Sequence, residues 1–186
     1  VLDDIANGKW KDQITEIRNC KTKVGKSELK KFLPAVTFSG TFELKPAYVK
    51  KTGKYELVSK RDDHLLEYSG LVVIDIDNIS AKEVSRIKKS CKDDMFLYAC
   101  FLSPSGGIKM LYEVDAPEKY HRNASFEQVR EYVEAFYSCE VDKSGKNISR
   151  LCYVSYDDDI FINKDYVCVS IDIDEYEQKQ KQYEPT

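Results

Sequence analysis

The sequence predicts an α+β fold in which helices pack against one face of a mostly antiparallel sheet. Three features support this prediction: apolar runs long enough for buried strands, amphipathic segments with helix caps between them, and a Pro-Ser-Gly-Gly turn that joins two of the runs. At 186 residues the chain fits one domain. Its 42% hydrophobic and 33% charged residues are typical of a globular protein, and no stretch approaches the roughly 18 apolar residues of a membrane span.

The first third of the chain predicts two helices, a strand and an exposed basic segment. Trp10, Ile14 and Ile17 lie at helical spacing and give the first helix an apolar face. Ser27 is a suitable N-cap for the second helix, and proline cannot continue it. In chain order the expected elements are a helix at residues 9–21, a short helix from Ser27 to Pro34, a strand at 35–43, and an exposed hairpin or loop at 44–62.

The rest of the chain alternates strands and helices. Ser80 and Glu83 form a capping box, and the Pro-Ser-Gly-Gly turn favours antiparallel pairing of the strands on either side of it. The resulting pattern is compatible with an RRM-like core. The expected elements are a strand at residues 69–78, a helix from Ser80 to about Cys91, strands at 95–103 and 108–114, a helix at 125–138, and a strand at 150–156.

We expect one domain at residues 1–168, with 44–62 as a basic insertion. Residues 169–186 are polar and are expected to be a tail or a linker to a further domain. The six cysteines are scattered and form no C-x-x-C pair, which with only two histidines makes a zinc site unexpected. We therefore expect reduced, mostly buried thiols, and the absence of a signal-peptide pattern predicts a cytoplasmic protein.

Charge is distributed unevenly along the chain. The net charge of −3 argues against a general nucleic-acid coat protein. Residues 9–61, however, hold 14 Lys/Arg and five Asp/Glu, whereas the remainder holds 15 and 27. A basic first third is able to follow phosphates while an acidic remainder holds metal. The alternative is a solvated, lysine-rich surface.

Asp75 and Asp77 end the apolar run at 69–78. Alternate residues of a strand point to the same face, so the two carboxylates lie side by side. A divalent cation such as Mg²⁺ or Mn²⁺ removes their repulsion. The alternative is a solvated strand end leading into a turn. The same spacing recurs at Asp172 and Asp174, which have no helix after them in the expected pattern and are assigned to an exposed edge.

Two further segments carry candidate functional residues. The amides of Ser105, Gly106 and Gly107 can form an anion-binding nest beside Lys109, although an ordinary hairpin turn has the same composition. Asp142 and Arg150 are the candidates in the second segment. Asp142 supplies a third carboxylate, and Arg150 is able to bind phosphate bidentately. Alternatively, Asp142 forms a turn and Arg150 forms an ion pair at the surface. The aspartates at 157–159 are expected to form a solvated turn.

In order, the segments KKFLPAVTFSGTF, YSGLVVIDIDN, FLSPSGGIKMLYEV and EVDKSGKNISRLCYVSYD resemble the VirE N-terminal-domain family of Bacteroides-type mobile-element proteins. That family is similar to the primase-polymerase branch of the archaeo-eukaryotic primase superfamily. The resemblance covers about residues 2–165. It implies a primase-polymerase-like, RRM-like core and a Mg²⁺- or Mn²⁺-dependent nucleotidyltransferase that uses nucleoside triphosphates and a single-stranded DNA template, often with a fused or associated helicase.

The resemblance also implies roles for individual residues. The paired acids of the first motif match Asp75 and Asp77, and the third acid matches Asp142. The Ser/Gly turn of the second motif matches residues 105–107. Lys109 stands where that motif usually carries a histidine that contacts the nucleotide, so phosphate binding is retained more readily than catalysis. Arg150 adds charge for the triphosphate.

Other readings of the same residues remain open. The basic segment could track single-stranded template by charge and stacking, through Lys50, Lys51, Lys54, Lys60 and Arg61. A non-catalytic module that binds nucleotide or nucleic acid is one alternative to the enzyme. The other is a haloacid-dehalogenase-like phosphatase, with Asp75 as nucleophile and Asp77 as general acid; no convincing Gly-Asp metal motif follows in the sequence to support it.

Overall fold

A computed structural model describes residues 1–50, 52–58 and 62–183 and has mixed helix and sheet, as an α+β fold requires. The helices are α1 Leu2–Ala6, α2 Lys11–Asn19, α3 Lys23–Lys30, α4 Ala81–Ser90, α5 Phe126–Tyr137 and α6 Ile173–Tyr183. The strands are β1 Ala35–Val36, β2 Gly40–Phe42, β3 Lys45–Val49, β4 Lys54–Val58, β5 Leu65–Tyr68, β6 Leu71–Ile76, β7 Leu97–Leu102, β8 Ile108–Glu113, β9 Cys152–Tyr153 and β10 Phe161–Ile162.

The centre of the protein is a four-stranded antiparallel sheet in the order β10-β7-β8-β6. Strands β6 and β7 run in the same direction, separated by β8, and α4 connects them. The capping box of Ser80 and Glu83 opens α4 as predicted. The Pro-Ser-Gly-Gly turn joins β7 to β8 as a hairpin, with Leu102 opposite Ile108. These elements confirm the central part of the sequence prediction.

Helices cover both faces of this sheet. Alternate residues of β6 point in opposite directions: Val72 and Ile74 pack in a core with α4 and α5, whereas Val73 packs in a second core with α1 and α2. The expectation of helices on one face is therefore wrong. The N-terminal helices cover the second face because Ile14 and Ile17 of α2 are completely or almost completely buried.

Three expected elements differ from those observed. The strand predicted at 35–43 is divided into β1 and β2, which pair with β9 and β5 respectively. The strand predicted at 150–156 is only β9, and the fourth strand of the central sheet is β10. Helix α3 begins four residues before Ser27, because the Thr22 side chain accepts the N-terminal hydrogen bond from the Gly25 amide.

The segment after residue 168 packs on the domain. The Val169 amide donates to the Glu113 carbonyl, and Ile171 is buried in the core that contains α4 and α5. Asp172 is exposed, as expected, and accepts the Glu175 amide at the start of α6. Helix α6 follows this segment, and Ile171 before it contributes to the core.

Asp157 corrects the expectation of a solvated turn at 157–159. It is buried, accepts the Leu102 amide and forms a 2.7 Å ion pair with Lys88 of α4. Asp158 and Asp159 are exposed as expected. The six cysteines are free thiols. In the part of the chain that the structure describes, no helix is long and apolar enough to cross a membrane.

His121 lies buried in the turn before α5 and predicts a pH-dependent stability. Its Nδ1 atom is 2.9 Å from the Tyr68 hydroxyl, and burial lowers its pKa from 6.5 to about 4. The unfolded chain binds this proton near pH 6.5 and the native chain only near pH 4, so stability is lost as pH falls through that window. We expect about 2 kcal/mol less unfolding free energy at pH 4.5 than at pH 7.5 from this group.

Urea unfolding at the two pH values measures this change in the wild type and in His121→Gln. The variant lacks the titrating ring and should lose correspondingly less stability on acidification. An equal loss in both proteins would contradict the assignment to His121.

Candidate functional site

The candidate site lies at the end of the central sheet where β6 ends and its partner β8 begins. Asp75 of β6 is directly opposite Lys109 of β8, and both residues are less than one tenth exposed. The Lys109 ammonium donates to the Asp75 carboxylate. The two predicted site residues are therefore brought together as a buried ion pair on the face of the sheet that α1 and α2 partly cover.

The protonated state of Lys109 depends on its neighbours. Burial opposes the ammonium form, but Cys152 and Asp75 favour it and raise the pKa of Lys109 overall. Burial also raises the pKa of the Cys152 thiol to about 11, so this thiol is neutral at pH 7. Asp75 is therefore the effective negative charge beside Lys109.

Asp77 follows β6 and is exposed, unlike Asp75. Partial burial raises the pKa of the Asp77 carboxyl, and the nearby Asp75 charge raises it further. Gly107 packs closely against this residue: a Cβ atom at Gly107 would lie 2.5 Å from the Ile76 carbonyl oxygen and 2.8 Å from the Asp77 Oδ1 atom. Only glycine fits here without moving Asp77.

A cleft of about 500 Å³ opens at this end of the sheet. We call it the sheet-end cleft. Two carboxylates and three cations line it together with polar residues of the segment before β9. The charged lining residues are Lys30, Asp75, Asp77, Lys109 and Arg150. The cleft therefore combines oxygen ligands for a cation with groups that attract phosphate.

Asp142 is next to the site through its backbone. Its amide donates to the Asp75 carbonyl at 2.8 Å. Its carboxylate accepts the Ser144 amide and hydroxyl, and these bonds lower the pKa of Asp142. Arg150 donates to the same Ser144 hydroxyl at 3.3 Å. Asp142 lines a neighbouring cleft together with Asp77, so Asp77 lines one cleft with Asp75 and another with Asp142.

The turn at residues 105–107 faces a different cleft from Lys109. The Gly106 amide donates to the Ser103 carbonyl and the Gly107 amide to the Ser103 hydroxyl, both at 3.0 Å. These two amides are thus already engaged within the turn. Arg18 of α2 holds the same turn from the second face, since its guanidinium donates to the Ser103 carbonyl at 3.1 Å and to the Tyr156 carbonyl at 2.8 Å.

The basic insertion forms the hairpin of β3 and β4. Lys50 and Lys54 are exposed there, and Tyr48 and Tyr55 make an edge-on ring contact with centroids 5.6 Å apart. Lys51, Lys60 and Arg61 lie outside the described residues. Neither lysine of the described pair lines the sheet-end cleft.

Lys30 lines the sheet-end cleft and is a candidate site residue that the sequence prediction did not include. It is the last residue of α3, and burial lowers its pKa although Asp77 and Asp75 partly oppose this. Lys23, Lys26 and Lys30 recur at three- and four-residue spacing, which places them on one face of a helix. That spacing was the available signal, but the helix was expected to begin only at Ser27.

The carboxylates fit a hard divalent cation by their chemistry. Asp75 and Asp77 share a face and a cleft, and oxygen ligands suit Mg²⁺ or Mn²⁺. Burial and, after it, the charge of Asp75 raise the pKa of Asp77, and a bound cation would relieve the repulsion between the two carboxylates. Within residues 1–50, 52–58 and 62–183 no group of three or more His, Cys, Asp and Glu residues has a ready metal-binding arrangement.

Comparison with known proteins gives one family. The model of the family described as BT4734-like, N-terminal domain, matches residues 28–161. The chain belongs to this family. The matched range of the BT4734-like domain contains the ion pair, Asp77, Asp142 and Arg150, and it begins within α3. No curated protein and no solved structure matches the chain.

Proposed function

We propose that this BT4734-like domain is a primase-like nucleotidyltransferase that extends a strand with nucleoside triphosphates on single-stranded DNA, using Mg²⁺ or Mn²⁺. The observation that carries the proposal is the sheet-end cleft, in which the carboxylates of Asp75 on β6 and of Asp77 directly after it lie among three cations. Carboxylates beside phosphate-binding cations are what metal-assisted phosphoryl transfer requires. The resemblance to the VirE N-terminal domain and to primase-polymerases points to the same reaction, in replication of a mobile element.

The order of elements supports an RRM-like catalytic core. An RRM-like core has the chain order βαββαβ, with the first and third strands at the centre of the sheet. Here β6, α4, β7, β8 and α5 follow that order, and β8 lies between β6 and β7. The chain then returns beside β6, where the Asp142 amide bonds to the Asp75 carbonyl. The returning segment is not a regular strand, and β10 adds to the far edge.

Each residue has a chemical role in this proposal. Asp75 and Asp77 would hold the metal, with Asp142 beside them. A metal held there would supply activation of the attacking 3′-hydroxyl and charge stabilisation for the leaving pyrophosphate. Arg150 and Lys30 bind triphosphate oxygens, because both are half-buried in the cleft and a guanidinium suits bidentate phosphate binding. Lys109 orients the Asp75 carboxylate.

The test is nucleotide incorporation on a primed and an unprimed single-stranded DNA with Mg²⁺ or Mn²⁺. We expect product that requires the metal and is lost in Asp75→Asn/Asp77→Asn. Asp172→Asn/Asp174→Asn is the matched control, because it changes the same number of carboxylates at the same spacing outside the cleft. Equal product from the wild type and from Asp75→Asn/Asp77→Asn would reject the proposal.

The second candidate is a non-catalytic nucleotide-binding module. It is favoured by the Lys109–Asp75 ion pair, because an ammonium bonded to the first carboxylate competes with a metal ion for it. ATP binding without incorporation in the wild type would support this candidate. Lys109→His then tests whether the ion pair is the cause, since a neutral imidazole leaves Asp75 free for metal.

The same proposal extends to partners and location. A fused or associated helicase domain would supply the single-stranded template. The free cysteines are consistent with a reducing compartment such as the cytoplasm.

A further inference from the structure

A second cleft adjoins the sheet-end cleft and is richer in lysine. Its volume is about 450 Å³. It lies between the turn at residues 105–107 and residues 21–30, which contain α3 and are called the α3 segment. We call it the α3 cleft. The α3 segment contributes Lys21, Lys23, Lys26 and Lys30 to its lining.

The positive charge of this cleft is largely uncompensated. Asp77, at the boundary of the cleft, is the acidic residue that lines it, against four lysines. None of the four lysines forms an ion pair with a carboxylate among the ion pairs of residues 1–50, 52–58 and 62–183. Four like charges within one cleft repel each other, and a polyanion relieves that repulsion.

The α3 cleft is continuous with the candidate reaction site. Lys30 and Asp77 line both clefts, so a strand lying along α3 reaches the carboxylate end of β6 without leaving the protein surface. Phe32 follows α3 and is 84% exposed, and such an aromatic ring next to cations is suited to stacking an unpaired base.

We infer that the α3 cleft binds the sugar-phosphate backbone of single-stranded DNA and guides it to the sheet-end cleft. The identity of this polyanion rests on the proposed function, whereas the charge and position of the cleft do not. The inference moves the main DNA contact from the β3–β4 hairpin, where the sequence predicted it, to the helix that precedes β1. Lys23 and Lys26 act by charge, as positions that contact phosphate without reading sequence.

The test measures binding of a fluorescein-labelled oligo(dT) to residues 1–186 by fluorescence anisotropy over a range of salt concentrations, without divalent metal. We expect Lys23→Gln/Lys26→Gln to weaken binding roughly tenfold or more at about 100 mM salt, and to flatten the slope of log K against log salt by about 1.4. Lys92→Gln/Lys164→Gln removes the same charge from exposed positions outside both clefts and should bind almost as the wild type does. Lys50→Gln/Lys54→Gln measures the hairpin's share, which we expect to be smaller.

Five outcomes decide the inference. Unchanged affinity and slope in Lys23→Gln/Lys26→Gln overturns it, as does an equal loss in the Lys92/Lys164 variant or absence of binding by the wild type. Loss of ATP–Mg²⁺ binding with DNA affinity intact also overturns it, and assigns the cleft to the triphosphate. Lysine-dependent DNA binding without nucleotide incorporation supports the inference and rejects the proposed reaction. Failure of the inference is therefore distinguishable from failure of the proposed function.

Discussion

Replacing Lys109 with methionine is expected to lower the free energy of unfolding by about 3 kcal/mol or more. Methionine fills a similar volume but leaves the carboxylate of Asp75, a residue that is only 8% exposed, without its cation. The loss is set by the mostly desolvated charge left behind rather than by the net value of the ion pair, because the opening of Asp75 to the sheet-end cleft is too small for water to replace the lost partner fully. Urea unfolding at pH 7 measures the change.

Two variants make this measurement specific to the pair. Asp75→Asn/Lys109→Met removes both charges and should recover part of the lost stability, and with the Asp75→Asn single variant the double-mutant cycle gives the coupling between the two residues. Lys143→Met is a matched control, since this lysine is exposed and its replacement should change stability by no more than about 0.5 kcal/mol. Wild-type-like stability of Lys109→Met would mean that the carboxylate is solvated in solution.

Replacing Asp94 with alanine is expected to cost about 3–5 kcal/mol of unfolding free energy. Asp94 is 1% exposed, and three buried or half-buried tyrosine hydroxyls donate to its carboxylate at 2.8–2.9 Å: those of Tyr112, Tyr132 and Tyr137. Burial raises the pKa of all three tyrosines, and the Asp94 charge raises it further. Alanine leaves three hydroxyls without this acceptor, in a core that joins β8 to α5.

The control for Asp94 is its neighbour in sequence. Asp93 is exposed in the same turn, so Asp93→Ala should stay within about 0.5 kcal/mol of the wild type. Asp94→Asn keeps the shape and one acceptor oxygen and should fall between the two. The network would be unimportant for stability if Asp94→Ala and Asp93→Ala unfolded at the same urea concentration. Nucleotide and DNA binding by the folded fraction should be unaffected, because Asp94 lines neither cleft.

Local patterns in the sequence were sufficient to predict the central elements. Three features were predicted in this way: the Ser80–Glu83 capping box, the apolar run ending at Asp75 and the glycine turn before β8. Each depends only on residues close together in the chain, so each can be recognised from a short segment of sequence. Asp75 and Lys109 were both singled out in this way. Their direct contact was not predicted, because it depends on the register between β6 and β8, which local patterns do not fix.

The features that the sequence did not predict depend on distant contacts. The sequence predicts that Asp157 is part of a solvated acidic turn, but in the structure it is buried and forms an ion pair with Lys88 of α4. The two short strands at 35–42 pair with segments far away in sequence, so their division could not be read from β propensity. Lys30 was missed for a local reason: Thr22 rather than Ser27 begins α3, and this shift brings three lysines into helical register.

The second core has a consequence for how the family should be delimited. The matched range begins at residue 28, but α1, α2 and the residue before α2 supply Ile5, Trp10, Ile14 and Ile17 to the core that packs on the face of the sheet carrying Asp75. A fragment cut at the family boundary would expose the apolar side chains of Val73, Phe101 and Leu111 to water. The segment that the family shares is therefore shorter than the segment that must fold together. The end of the sheet that carries Asp75 depends on α1 and α2, which lie outside the matched range.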